Sequence, residues 1–219
     1  MLVAKFIPYK TPKILKQFFN TYLWDIDVEN QKRIYLTFDD GPIPEVTEFV
    51  LKELAQYNAK ATFFCIGDNI QKHPNIFKKI VLHGHSIGNH TMHHLKAWKC
   101  DEDTYLENVH KCDSIIRQHH INNCATKLFR PPYGQISLSK FKLLEKQGYK
   151  IVLWDILSKD WDKKISEEDC LQNVIQHTEK GSIIVFHDSI KASKKLSYCL
   201  PKVLDYFTKK GFIFDKIEI

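Results

Sequence analysis

The sequence predicts an α/β barrel of parallel strands, and three observations carry that expectation. From Arg33 onward, short apolar runs alternate with helix-period segments six or seven times, the pattern of parallel strands with covering helices. No glycine-rich dinucleotide fingerprint follows any apolar run, which argues against an open nucleotide-binding sheet. The unusual polar residues, Asp39 and Asp40, His90, Arg130, Asp160 and His187, stand where strands end. In a barrel those ends converge on one face, where the active site sits. A doubly wound sheet is the competing architecture, and the convergence of polar residues favours the barrel.

Thr11-Pro12 reads as an N-cap followed by proline at the first helical position. Ile14, Leu15, Phe18, Phe19, Tyr22 and Leu23 then recur at helical spacing among Lys13, Lys16 and Gln17. A short basic amphipathic helix either lies on a membrane surface or docks on its own domain, and docking is expected here. Strands are read at 33–38, 61–66, 149–156 and 182–186, with short extended pieces at 85–89 and 127–129. Helices are read at 44–57, 74–83 (stopped by Gly84), 104–120, 137–147 (ended by Gly148) and 166–178. Ser166 and Asp169 are spaced as a capping box. A last helix at 193–210, interrupted near Pro201, precedes a final strand at 212–219. There is no low-complexity linker and no repeat. The chain therefore reads as one domain, a helical extension over 1–32 and a barrel over 33–219.

Composition narrows the function. The 219 residues are 43% hydrophobic, enough for a large core. The formal charge of +6 is spread along the chain with no block of five like charges, so no nucleic-acid footprint is indicated. Diffuse basicity fits solubility, or mild attraction to an anionic polymer or surface. Cys65, Cys100, Cys112, Cys124, Cys170 and Cys199 show no two-to-four-residue pairing of a zinc knuckle or redox motif. Residues 1–10, charged at Lys5 and Lys10, lack the apolar stretch of a signal peptide. No run approaches the roughly eighteen apolar residues of a membrane span. Free thiols and a cytoplasmic location are the expectation.

The chemistry centres on Thr37-Phe38-Asp39-Asp40-Gly41-Pro42, which follows the apolar run Ile34-Tyr35-Leu36. Adjacent side chains on a strand point to opposite faces, but at a strand-to-loop junction both acids can bend toward one cleft. One could then hold a metal and the other take a proton. Alone, the hexapeptide is equally a solvated turn. His90 and His94 lie four apart, which on a helical turn puts both imidazoles on one face, close enough to share a cation. His93 faces elsewhere, and His83 and His85 make the stretch histidine-rich. Two histidines and one aspartate leave a divalent ion open positions for water and substrate. In Arg130-Pro131-Pro132-Tyr133-Gly134 the prolines forbid a helix. The arginine either decorates a surface loop or orients a carboxylate, with a backbone N–H near Tyr133 facing a developing oxyanion. His187-Asp188 ends Ile183-Ile184-Val185-Phe186, where the convergent face favours proton transfer over a satisfied core histidine.

In this order, residues 37–42, the His90/His94 pair, Arg130 to Gly134, Asp160-Trp161 and Ile184 to His187 resemble the polysaccharide deacetylase family, carbohydrate esterase family 4 or the NodB-homology domain. The resemblance runs from about Arg33 to the C-terminus. It implies a distorted (β/α) barrel of seven or eight mainly parallel strands and metal-dependent removal of N- or O-acetyl groups from sugars. It implies Asp40, His90 and His94 as ligands of one divalent ion, usually zinc, with cobalt, manganese or nickel as alternatives. Asp39 would be the general base, oriented by Arg130, and the Tyr133 backbone N–H would help stabilise the oxyanion. His187 would be the general acid, tuned by Asp160, while Trp161 and Ile184 would shape the acetyl pocket. The family often has an acid three residues before this aspartate, where Leu157 stands here, which bears on substrate contacts or loop structure.

The chemistry needs those residue types independently. An amide is a poor electrophile and an amine a poor leaving group, so the site requires a polarising cation, a base and a separate acid. The expected partner is an acetylated glycan containing N-acetylglucosamine, such as a chitooligosaccharide or peptidoglycan. An O-acetyl ester such as acetylated xylan, or another C–N bond, is the alternative substrate. A silent glycan-binding relative would lack a base, acid or ligand, and none is missing.

Overall fold

The computed structural model describes residues 8–120 and 127–218. Lys5 and most of the stretch read for a signal peptide lie outside the described residues, as do Cys124 and Ile219. The elements, in order, are α1 (Lys13–Phe18), β1 (Arg33–Asp39), α2 (Val46–Gln56), β2 (Ala61–Cys65), α3 (Gly67–Lys72), α4 (Pro74–Leu82), β3 (Ser86–Asn89), α5 (Glu102–His119), β4 (Leu128–Phe129), α6 (Leu138–Lys146), β5 (Lys150–Ile151), β6 (Ile156–Leu157), α7 (Glu167–His177), β7 (Ile183–His187), α8 (Ser193–Lys209) and β8 (Ile213–Phe214).

Seven parallel strands follow the order β5-β4-β3-β2-β1-β7-β6, and β8 pairs with the start of β1. The edge strands β5 and β6 are consecutive in the chain, so the sheet must curl to bring its edges together. The expected distorted barrel is what forms. Residues 152–155, read from the sequence as the middle of one strand, instead cross from one edge to the other. An unbroken apolar run does not reveal such a crossing, because every residue in it is buried either way.

The N-terminal segment covers that seam. The Leu23 N–H donates to Ile151 O (2.9 Å) and the Leu153 N–H to Leu23 O (2.8 Å) beside β5. Near β6 the Leu157 N–H donates to Tyr9 O (2.9 Å) and the Thr11 N–H to Asp155 O (2.8 Å). These bonds satisfy backbone groups that open edges would leave unpaired. Thr11 is not the N-cap of α1: its hydroxyl donates to Trp154 O, and Pro12 precedes the helix. Nor is α1 docked by its apolar side. Ile14, Leu15, Phe18 and Phe19 are exposed, and the helix is tied down by Lys16 to Asp25 and Asp155. No helix of the described residues is long and apolar enough to cross a membrane.

Strand alternation divides the interior in two. Ile34, Leu36 and Phe38 of β1 and Ile184 and Phe186 of β7 face the helices in the larger core. Tyr35, Phe64, Ile183, Leu128 and Val152 fill the inside of the barrel. Burying each such side chain is worth about 1.5–3 kcal/mol. Ser166 accepts from the Asp169 N–H while Asp169 accepts from the Ser166 N–H, the expected capping box. α8 runs unbroken through Pro201, whose missing donor is tolerated in a helix buried along Leu196, Cys199, Leu200, Val203, Leu204 and Phe207. Helix α3 has no counterpart in the sequence reading. The described cysteines are free thiols, as expected.

Candidate active site

The inward-facing ends of β1, β3, β4 and β7 meet at a cavity of about 540 Å³. Asp39 and His187 are register neighbours on β1 and β7. Asp40 sits just beyond the strand at φ 85°, and the Asn69 amide of α3 donates to its carbonyl (2.7 Å). The two acids therefore separate: Asp39 turns into the barrel and Asp40 toward the histidines.

His90 and His94 converge, with ring centroids 5.0 Å apart. They do so on a loop rather than the expected helical turn: Thr91 and His94 have φ of 65° and 53°. The loop is pinned by Asn108, whose side-chain oxygen accepts from the Met92 and His93 N–H groups. Behind it Asn89 accepts from the Thr91 N–H and donates to buried Asp113, which also receives the Tyr149 hydroxyl. His93 is exposed. His85 is a core residue beside Phe63, where burial pushes its pKa down to about 3.

Asp40, His90 and His94 could hold a cation. Their donor atoms lie within 4.8 Å of one another, with His94 Nε2 at 3.5 Å and His90 Nε2 at 3.9 Å from Asp40 Oδ1. That oxygen is buried without a hydrogen-bond partner among the described residues, a costly state that a cation would relieve. His90 Nδ1 donates to Arg130 O (2.7 Å), leaving Nε2 as the free donor atom. Burial lowers the pKa of both imidazoles, His94 to about 4, so each is the neutral form a metal requires.

Arg130 is wholly buried over the Phe64 ring, 4.1 Å from its centroid. Its guanidinium donates to Asp39 Oδ1 (2.7 Å), Thr37 Oγ1 (2.7 Å), Val152 O (3.1 Å) and Leu153 O (2.8 Å). Burial pushes the Asp39 carboxyl up, but Arg130, His90 and His187 outweigh it and hold Asp39 below its usual range. On the other side, Asp160 accepts from His187 Nδ1 (2.9 Å) and from the His187 N–H (2.7 Å). Burial alone would lower the His187 pKa, yet Asp160 raises it to about 9. The Trp161 ring packs edge-on against His187, with centroids 4.7 Å apart. Tyr133, at φ 62°, packs on His94 at 4.6 Å and lines the cavity.

One residue is misplaced by the sequence reading. Ile184 faces the helices, and its neighbour Val185 lines the cavity, together with Leu157 and Trp154. The signal was available: period-two alternation puts Val185, not Ile184, on the face of His187. The sequence does not single out Asp188. It is buried, accepts from the Gly41 N–H (2.9 Å) and the Thr47 hydroxyl (2.6 Å), and so braces the turn after Asp40. Nothing in its sequence neighbourhood distinguishes such a brace from a surface acid.

The arrangement has the layout of a hydrolase centre: a carboxylate clamped by an arginine and an imidazole bonded to a buried carboxylate flank a set of residues that could hold a cation on a parallel (β/α) barrel. The family model described as polysaccharide deacetylase matches residues 27–152, more than half of the chain, and the chain belongs to that family. It is 38% identical over 186 residues to a peptidoglycan-N-acetylglucosamine deacetylase of Bacillus cereus, covering 84% of this chain and 66% of the relative. A second Bacillus cereus protein of that name is 36% identical, covering 87% of this chain and 88% of the relative. A chitooligosaccharide deacetylase of Azorhizobium caulinodans is 36% identical, covering 73% and 75%. Among solved structures, a peptidoglycan N-acetylglucosamine deacetylase in complex with 4-naphthalen-1-yl-N-oxidanyl-benzamide aligns with a TM-score of 0.86 at 34% identity, covering 94% of this chain and 95% of that one.

Proposed function

We propose that this chain is a metal-dependent hydrolase that removes the N-acetyl group from N-acetylglucosamine units of a glycan. The observation that carries the reading is the buried, unpartnered Asp40 Oδ1 facing two imidazole nitrogens on the floor of a cavity flanked by Asp39 and His187. Asp40, His90 and His94 would hold a divalent ion, with zinc favoured by the donor set, and it would supply Lewis-acid polarisation of the acetyl carbonyl. Asp39, kept ionised and aimed by Arg130, takes a proton from the attacking water. His187, kept protonated by Asp160, gives one to the departing amine nitrogen. Trp161, Val185 and Leu157 exclude water around the methyl group, and the Tyr133 backbone N–H is the further donor for the oxyanion.

The separate, well-protonated acid supports amide over ester cleavage, because an amine leaves only when protonated whereas an alkoxide leaves more readily. The test is acetate release from chitooligosaccharides and peptidoglycan fragments by metal-stripped protein given single divalent ions. Acetate from acetylated xylan alone would move the assignment to an O-acetyl esterase, and no acetate from any acetylated sugar would end the reading. Asp39→Asn and His187→Ala should each lose turnover by about a hundred- to ten-thousand-fold while retaining metal.

A further inference from the structure

Two lysines, one in the cavity lining and one stacked on a lining ring, form no ion pair among the described residues. Lys191, in the turn after β7, lines the cavity and forms no hydrogen bond or ion pair among the described residues. Lys96, just past His94, is exposed and holds its ammonium 4.4 Å from the centroid of the Tyr133 ring, itself part of the lining. The sheet order puts β3 and β7 on opposite flanks of β1, so the two lysines lie on either side of the β1 carboxylates.

The acids of the site are already matched. Asp39 is paired with Arg130, Asp160 with His187, and Asp40 belongs to the cation donor set. No further carboxylate lines the cavity among the described residues. The uncompensated charge at the rim is therefore positive, the sign of the chain's formal +6. A neutral glycan gains nothing from that field. A glycan with carboxylates is drawn to it, and a lysine, as a point charge on a flexible stem, follows an acid whose position varies along a polymer.

Resting on the deacetylase reading, we propose that the substrate is an acetylated glycan bearing carboxylates on the sugars that flank the one being deacetylated, met by Lys96 and Lys191. Peptidoglycan strands stripped of peptide carry a free carboxylate on alternate sugars, and coupling these acids to methylamine gives matched strands without the charge. At low ionic strength the metal-loaded protein is expected to act on the carboxylate strands with kcat/KM about tenfold above the methylamide strands. Added salt should shrink that ratio. The K96Q/K191Q double variant should bring it toward one.

Equal kcat/KM on both strands, or a preference that the double variant keeps, overturns the proposal while leaving the deacetylase reading intact. No acetate from either strand removes that reading and the proposal with it.

Discussion

The carbonyl oxygen of Arg130 lies 2.7 Å from Nδ1 of His90, so the residue whose guanidinium clamps Asp39 also fixes the tautomer of a histidine that could hold a cation. The two functions use different parts of one residue, and substitution separates them. Arg130→Gln keeps the carbonyl and removes the clamp. It is expected to lower kcat/KM by at least a hundredfold and, because Asp39 is left buried without its partner, to cost about 3–5 kcal/mol in urea denaturation. Metal affinity by calorimetric titration should fall far less. Arg130→Lys should not rescue activity, since one ammonium cannot reproduce donation to Asp39, Thr37, Val152 and Leu153 at once.

Asp40 supplies the only formal charge in the donor set, so Asp40→Asn should abolish tight metal binding where Asp39→Asn does not. The loss should exceed the roughly 10- to 100-fold typical of removing a residue that merely supports a ligand. Titration of metal-stripped variants decides this. A strong chelator should silence the wild type, and a divalent ion should restore it. Full activity in the presence of the chelator would exclude the metal.

The candidate site was legible in part because carboxylates, imidazoles and an arginine stand at the ends of successive apolar runs, and strand ends in a parallel barrel meet. Asp39 and Asp40 alone read equally as a turn, and it is their order along the chain with His90, His94, Arg130, Asp160 and His187 that singles them out. What stayed hidden depends on paths that local pattern does not encode. The apolar run at 149–156 looks the same whether it stays in one strand or crosses the seam. The convergence of His90 and His94 comes from two positive-φ residues, neither of them glycine, which the sequence does not mark. The role of residues 8–25 in covering the seam is written in backbone hydrogen bonds, which carry no side-chain signature.

Gly41 is required by closeness rather than by backbone freedom. A Cβ there would fall 2.0 Å from Asp188 Oδ2. Gly41→Ala must push Asp188 away, breaking its bond to the residue 41 N–H and shifting the neighbouring Asp40. The expected outcome is a loss of about 1–3 kcal/mol in denaturant unfolding together with weaker metal binding. Thr47→Val serves as the control. It removes a donor to Asp188 without touching the turn, so it should lose similar stability and bind metal nearly as well as the wild type. Equal metal affinity in Gly41→Ala and the wild type would mean that the turn does not place Asp40.

The last prediction concerns pH. Burial would lower the His187 pKa, but the charge of Asp160 and its hydrogen bond raise it to about 9. A raised pKa means the imidazolium, the form able to protonate an amine, is present below about pH 9 and lost above it. The alkaline limb of kcat should therefore lie at or below about 9, because a cation at Asp40 offsets one of the carboxylates that contribute to the shift. Asp39, held below its ordinary value of 3.8, stays an ionised base across the same range, so the acidic limb should lie low. Asp160→Asn removes the main charge that raises His187 and leaves burial unopposed. Its alkaline limb should move toward the ordinary histidine value of about 6.5 or below, with a matching fall in kcat at pH 8. Profiles of kcat for the metal-loaded wild type and Asp160→Asn check this directly. A limb that stays in place in the variant would show that His187 is not the acid.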